Sequence, residues 1–303
     1  MLLGGGAFLC CCAPLAEEFP LPEDPGDTVV GAVSQTSVRK GESLLDIARA
    51  FDLGHDQIVL ANPKLNRWVP AVGAAVRLPA RYVLPPGPRR GLVLNLAELR
   101  LYYFPPRSGT VITHPVSVGD IDWRTPRTTT YVAAKVVDPA WRPPPSIRAE
   151  HRAEGEELPE SIPGGAADNP LGHFALKLGI PAYLIHGTDE RRAFGIGMRV
   201  SHGCIRLYPE DIESLFPRVP VGTTVRIIDV PIKAGWRGEL LYLEVHRPLE
   251  REEQEALPPP SFEQLEATIA AALRGDSRYL DTDLALKVFA RGDGVATPIG
   301  RRS

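Results

Sequence analysis

Between Leu92 and Asp229 the chain breaks into short runs rich in Val, Ile, Leu, Thr and Tyr, separated by turn residues. That spacing restricts this region to a mainly β fold. Strands are predicted at Leu92–Leu96, Arg100–Phe104, Thr110–Val118, Thr129–Val137, Phe174–Leu178, Ala182–His186 and Val225–Asp229. The first two flank Ala97-Glu98-Leu99 and read as a hairpin. One helix interrupts the pattern, with Pro209 in its first turn and Ile212, Leu215 and Phe216 on one face. Many short strands with few helices fit a β-sandwich or barrel. Residues 138–172 have little periodicity and are expected to form a lid loop over a site.

The flanking regions differ in pattern. Residues 17–35 are acidic and contain Pro and Gly, and are expected to be a linker. Ser43 is placed to cap a helix carrying Leu44, Ile47, Ala48 and Phe51, and Asp56 to cap a second one carrying Ile58, Val59 and Ala61. The second helix should stop before Asn62-Pro63, because the residue ahead of proline disfavours the helical region. With strands near Ser37-Val38 and Val76-Arg77-Leu78, residues 36–80 read as a small βααβ unit. Residues 83–90 are a Pro/Gly linker to the β region. After Arg251, helical spacing recurs at Phe262, Leu265, Ile269 and Leu273 and again near Leu284 and Val288, so 233–303 is expected to be a partly helical extension.

Composition excludes some functions. The formal charge is −3 over 303 residues, which argues neither for nucleic acid nor for an anionic membrane surface. Met1 to Ala16 is apolar and uncharged, and ends just before Glu17-Glu18, as a secretory signal would. It is too short to span a bilayer as a mature helix. Ala7-Phe8-Leu9-Cys10 faintly resembles a lipoprotein cleavage box. Three of the four cysteines lie in this run, at Cys10, Cys11 and Cys12. An exported mature chain would then carry Cys204 alone, either as a reactive thiol or as a small buried hydrophobe.

Acyl transfer by cysteine needs an available thiolate, a base within hydrogen-bond reach, and donors facing the developing oxyanion. Cys204 supplies sulfur, and Gly203 before it removes side-chain bulk and lets backbone N–H groups turn toward an oxyanion. Seven histidines are candidates for the base. His186 closes the strand-like run Tyr183-Leu184-Ile185 and precedes Gly187-Thr188, a position from which a side chain can enter a cleft. His202 lies two residues from Cys204 and shares its face in an extended segment. A metal is not indicated, since one cysteine with His186 and His202 matches no familiar zinc spacing.

Two segments resemble known families. Val38-Arg39-Lys40-Gly41-Glu42-Ser43-Leu44, Ile47-Ala48 and Ala61-Asn62-Pro63 resemble a LysM module, which implies binding to N-acetylglucosamine-containing glycan strands. Ile185-His186-Gly187-Thr188 followed by Gly195-Ile196-Gly197-Met198-Arg199-Val200-Ser201-His202-Gly203-Cys204-Ile205-Arg206-Leu207 resembles the active-site signature of L,D-transpeptidases. That likeness covers residues 90–232 and, paired with the LysM-like module, is similar to the periplasmic Gram-negative subgroup. The resemblance implies a β-sandwich catalytic domain, Cys204 as nucleophile and His186 as proton acceptor. It places Tyr183, Gly187, Ser201, His202, Gly203 and Arg206 along the site. Arg206 would bind a substrate carboxylate, or else form a structural ion pair.

The implied substrate is the peptidoglycan stem tetrapeptide. Cys204 would attack the carbonyl of its third residue, diaminopimelate, release D-alanine and pass the acyl group to an amine. The amine would be a second diaminopimelate, a lysine of an outer-membrane lipoprotein, or a free D-amino acid. No cofactor is implied. A related hydrolase and a non-catalytic peptidoglycan-binding protein are the alternatives. Removal of residues 1–80 is expected to weaken wall association and to spare the chemistry.

Overall fold

The computed structural model describes residues 17–248, 258–273 and 279–302. The signal-like segment 1–16, with Cys10 to Cys12, lies outside the described residues.

The N-terminal part runs β1 (Glu17–Pro20), β2 (Val29–Ser37), α1 (Leu44–Ala50), α2 (His55–Ala61) and β3 (Ala75–Val83). β2 and β3 pair antiparallel over their whole length, from Val29↔Val83 to Ser37↔Ala75. The strand–helix–helix–strand unit therefore spans 29–83, wider than 36–80. Ser43 caps α1 with a reciprocal capping box to Asp46. α2 is preceded by Gly54 rather than capped by Asp56, and the Asp56 carboxylate meets His55 Nδ1 at 2.8 Å. Val38, Leu44, Ile47, Leu53, Ile58, Val76 and Leu78 form the unit's own core.

Residues 17–35 are not a linker. β1 joins the main sheet beside Thr110–Thr113, and β2 begins already at Val29. A four-residue edge strand held by backbone pairing needs no hydrophobic alternation, so periodicity could not reveal it.

The central part runs β4 (Gly91–Asn95), β5 (Arg100–Phe104), β6 (Thr110–Pro115), β7 (Val118–Gly119), β8 (Thr128–Val137), α3 (Pro145–Ala153), β9 (Phe174–Leu178), β10 (Leu184–His186), β11 (Arg199–Ser201), β12 (Ile205–Arg206), α4 (Pro209–Arg218) and β13 (Thr224–Ile228). With β1, all of these strands but β7 and β11, which pair with each other, make a nine-stranded sheet in the order β1-β6-β5-β4-β13-β8-β9-β10-β12. The sheet curls. Ile112 of β6 and Ile205 of β12, near opposite ends of that order, share one core with Leu92, Leu94, Leu101, Leu176, Val225 and Ile212. Ser117, just past β6, exchanges both backbone hydrogen bonds with Arg206 of β12 at 2.9 Å. The fold is mainly β as expected, and its two layers are the two ends of one curled sheet.

Residues 138–172 are less irregular than expected. They contain α3, and their ends are tied by the Trp141↔Ile162 bridge and by Asn169 Nδ2 donating to the carbonyls of Pro139 and Pro163.

The C-terminal part runs β14 (Ile232–Arg237), β15 (Leu240–Val245), α5 (Phe262–Leu273), β16 (Tyr279–Leu280), α6 (Thr282–Arg291) and β17 (Thr297–Arg301). Its four strands form a separate sheet, ordered β14-β15-β17-β16, whose core includes residues of both helices. This region is thus partly helical, as expected, but its two helices pack on a four-stranded sheet whose strands were missed by reading helical spacing alone.

The three parts are locked together by buried charge. Lys233 Nζ donates to Glu98 Oε2 (2.6 Å) and to the Val83 carbonyl (2.6 Å), and lies 2.9 Å from Glu244 Oε1. Arg100, 1% exposed, donates to the Asp52 carbonyl (2.7 Å) and Gln57 Oε1 (3.0 Å) and stacks over Tyr82 at 4.4 Å. The N-terminal unit is therefore docked on the central sheet, and the expectation that its removal spares the rest does not survive this packing.

Candidate active site

Cys204 sits immediately before β12, which runs parallel to β10 with Ile185 opposite Ile205 and His186 opposite Arg206. Extending that register places Cys204 beside Leu184. Side chains two apart in a strand share a face, so Leu184 and His186 on β10 face the same side as Cys204 and Arg206 on its neighbour. Two short parallel strands thus bring a sulfur and an imidazole together as diagonal neighbours.

His186 is 3% exposed, and its Nδ1 lies 2.6 Å from the Gly187 carbonyl. A carbonyl only accepts, so Nδ1 carries the proton and Nε2 keeps its lone pair. Burial, reinforced by the Arg206 charge, pushes the imidazole down to about 3, although the Gly187 and Leu171 carbonyls oppose this. Burial also pushes the Cys204 thiol up, against the Leu184 N–H and the Arg206 charge. At rest the sulfur is therefore a thiol and the imidazole is neutral.

The turn that presents the sulfur is braced from within. Ser201 Oγ donates to the Cys204 carbonyl (2.6 Å) and accepts from the Gly203 N–H (3.1 Å). Gly203 has φ +100°, and a Cβ there would lie 3.1 Å from the Tyr183 ring, so glycine is needed on both counts. The sulfur itself faces the Ala182 carbonyl at 3.6 Å. Ala182 lies in the Ile180–Tyr183 turn with φ +69°, a left-handed conformation that costs a non-glycine residue about 1–2 kcal/mol.

Several supporting residues were not foreseen. Thr125 Oγ1 accepts from the Gly119 N–H (2.9 Å) and donates to the Gly203 carbonyl (2.8 Å), clamping the turn from 78 residues away. Ser117 pairs with Arg206 as described above, and its hydroxyl donates to the Gly195 carbonyl (2.6 Å). Glu150 of α3 meets His202 Nε2 at 2.7 Å, and Trp123 stacks on the His202 ring at 5.4 Å. No local motif marks these residues, because each acts across the fold.

Arg206 is half-buried. Among the described residues its guanidinium has no hydrogen-bond or ion-pair partner, whereas neighbouring Arg192 is taken by Asp189. The structural ion pair considered for Arg206 is therefore absent among the described residues. A guanidinium with no partner among the described residues, on the face that carries Cys204, suits a carboxylate. Of the predicted residues, Cys204, His186 and Arg206 share one sheet face, Ser201 and Gly203 shape the turn, and Tyr183 packs against Gly203. Gly187 orients the base through its carbonyl. His202 points instead toward Glu150.

The N-terminal unit also touches this region. The His55 N–H donates to the Ile196 carbonyl (2.8 Å) and the Asp56 N–H to that of Gly197 (3.3 Å). A Cβ on Gly197 would collide with Gly54, so glycine allows the two segments to meet. Arg49 donates to Glu190 and to Glu210 at 2.7 Å each.

The charge states predict a pH profile. A raised thiol pKa means the thiolate fraction keeps rising above the ordinary thiol value of 9.0. Alkylation of Cys204 by iodoacetamide, followed by mass spectrometry, should therefore show one inflection above pH 9 and none between pH 5 and 8. An inflection near neutrality would mean a preformed thiolate–imidazolium pair and would contradict the neutral resting pair.

The chain is similar to several known proteins. The family described as YkuD, L,D-transpeptidase catalytic domain, matches residues 89–227. Probable L,D-transpeptidase YcfS of Escherichia coli K12 is 44% identical over 241 residues, covering 77% of this chain and 74% of that protein. Probable L,D-transpeptidase ErfK/SrfK of the same strain is 38% identical over 298 residues, covering 95% of this chain and 93% of the other. Among solved structures, the catalytic domain of the Enterococcus faecium L,D-transpeptidase aligns at 19% identity, covering 47% of this chain and 100% of that one, with a TM-score of 0.35.

Proposed function

Because this chain belongs to the L,D-transpeptidase family, we propose that it transfers the acyl group of a peptidoglycan stem tetrapeptide from D-alanine to an amine through Cys204. The observation that supports this most is the placement of Cys204 and His186 on one face of adjacent parallel strands, with His186 Nδ1 committed to the Gly187 carbonyl.

The proposed steps follow from those charge states. As the Cys204 sulfur attacks the carbonyl of the third residue, its proton moves to His186 Nε2. The oxyanion is met by the Cys204 N–H. Collapse breaks the amide bond, and His186 returns the proton to the departing D-alanine amine. An acceptor amine then attacks the thioester and gives its proton to His186, and the released sulfur is reprotonated. Arg206 binds a carboxylate of the donor stem. Residues 138–172 act as a lid that Glu150 holds against His202. The strand–helix–helix–strand unit binds glycan strands, and its exposed Trp68 offers an aromatic face suited to a sugar ring. The chain is assigned to the periplasm, with an N-terminal export signal. Among the described residues, no helix is long and apolar enough to cross a membrane.

Product analysis tests this reading. Purified protein is incubated with disaccharide tetrapeptide and a competing amine, and the products are resolved by mass spectrometry. Dimers, or amine adducts that have lost D-alanine, are expected. Loss of D-alanine alone would assign a hydrolase instead. No change of mass in any fragment would remove the catalytic reading.

A further inference from the structure

Away from the nucleophile, three residues far apart in sequence meet in a closed pocket. Asp52 follows α1 in a left-handed turn at φ 49°, His114 lies on β6, and Asp211 is in the first turn of α4. They are 3%, 0% and 4% exposed, and one donor atom from each falls within 4.8 Å of the others. His114 Nδ1 is 3.4 Å from Asp52 Oδ2 and 3.3 Å from Asp211 Oδ1. Neither contact is a hydrogen bond. Both His114 nitrogens, Asp52 Oδ1 and Asp211 Oδ2 are buried without a hydrogen-bond partner among the described residues, while Asp52 Oδ2 accepts from the Glu17 N–H at 3.2 Å. Leaving that many polar atoms unpaired in one place is costly, since each buried orphan costs about 1–3 kcal/mol.

A second acidic cluster in the same molecule shows how such a group looks when it is satisfied. Glu98, Glu244 and His246 also converge, but Lys233 Nζ stands among them at 2.6–2.9 Å, and Glu244 accepts from the Val83 N–H at 2.5 Å. Around His114 no ammonium occupies the corresponding place among the described residues. Arg100 is directed to the Asp52 carbonyl instead and lies 4.0 Å from Glu17.

We propose that Asp52, His114 and Asp211 bind one first-row divalent cation of the zinc class, which joins the N-terminal unit to the catalytic sheet and α4. A tetrahedral ion with bonds of about 2.0–2.1 Å sets its donors about 3.3 Å apart. The two Nδ1–carboxylate distances match that spacing, whereas a hydrogen-bonded pair would approach to about 2.7–3.0 Å. Two carboxylates and a neutral imidazole balance a double positive charge, which removes the burial penalty of the acids. Mixed nitrogen and oxygen donors select a borderline ion rather than calcium or magnesium. The three donors stand at 52, 114 and 211, so no spacing motif could have announced them, and the reading of no metal from sequence concerned only the cysteine site.

The test uses the full chain, freed of any histidine tag, equilibrated with zinc chloride and passed through a desalting column. Elemental analysis should find about one zinc per chain in the parent and in Cys204→Ser, which excludes capture by the nucleophile. His114→Gln and the double variant Asp52→Asn/Asp211→Asn should lose it. Dipicolinate should lower the melting temperature of the parent by several degrees, because an ion bound only to the folded state stabilises it. A parent that retains under about a tenth of an equivalent of any divalent metal, with a melting temperature indifferent to zinc and chelator, would overturn the proposal. So would a folded His114→Gln that keeps its zinc. If the variants fail to fold, the parent measurements decide alone.

Discussion

Cys204→Ala is expected to abolish acyl transfer, with a fall on the order of 10⁴-fold or more, while the melting temperature moves by no more than about 2 °C. Removing the nucleophile leaves only binding and oxyanion stabilisation, and losses of that scale follow when a covalent catalyst is deleted. The fold should hardly respond. The sulfur makes only weak contacts, to the Ala182 carbonyl at 3.6 Å and to the Leu184 N–H, and the turn is braced by Ser201 and Thr125 instead. D-alanine release and dimer formation, read beside a thermal melt, separate the two effects. Turnover above about one percent of the parent in a folded Cys204→Ala protein would remove Cys204 from the chemistry.

The second large effect concerns the N-terminal unit. A chain beginning at residue 85 should be insoluble, or should melt more than 10 °C below the parent. Arg100 would lose the Asp52 carbonyl, Gln57 and the Tyr82 ring together. Lys233 would lose the Val83 carbonyl, and Glu244 the Val83 N–H. Breaking a buried charge arrangement from one side costs about 3–5 kcal/mol, and a domain's whole stability is about 5–15 kcal/mol. Two such sites lost at once take most of it. The segment before the nucleophile would also lose the His55 and Asp56 N–H donors, so activity should fall even in whatever fraction stays folded. Scanning calorimetry and D-alanine release on the truncated protein check this. A soluble fragment with the parent's melting temperature and activity would show that the unit is a detachable binding module.

Much of the central fold was legible because its strands are short, β-branched and bounded by turns. The predicted runs at Leu92–Leu96, Arg100–Phe104 and Phe174–Leu178 fall on β4, β5 and β9 with shifts of a residue at most. The helix at Pro209 appeared through its proline and its apolar face. β1 and the strands after Ile232 were hidden for different reasons. β1 is held by backbone hydrogen bonds at a sheet edge, which leave no side-chain signature. β14 and β15 are buried along most of their length, so inward and outward positions scarcely alternate. The cysteine and the histidine of the site were readable for a chemical reason, since few residue types can serve as nucleophile and base.

By itself, the sequence singled out the candidate reacting groups of this protein, Cys204 and His186, and the mainly β character of the region that holds them. These depend on residue chemistry and on local spacing, both of which are written along the chain. The tertiary structure alone decided which atoms face one another. It set the protonation of His186 through burial and the Gly187 carbonyl, and left Arg206 without a hydrogen-bond or ion-pair partner among the described residues. It docked the N-terminal unit through Arg100 and gathered Asp52, His114 and Asp211 into one pocket. Such features arise from contacts between residues tens to hundreds of positions apart, where the electrostatic environment depends on distance in space and burial, and neither is encoded in any local pattern.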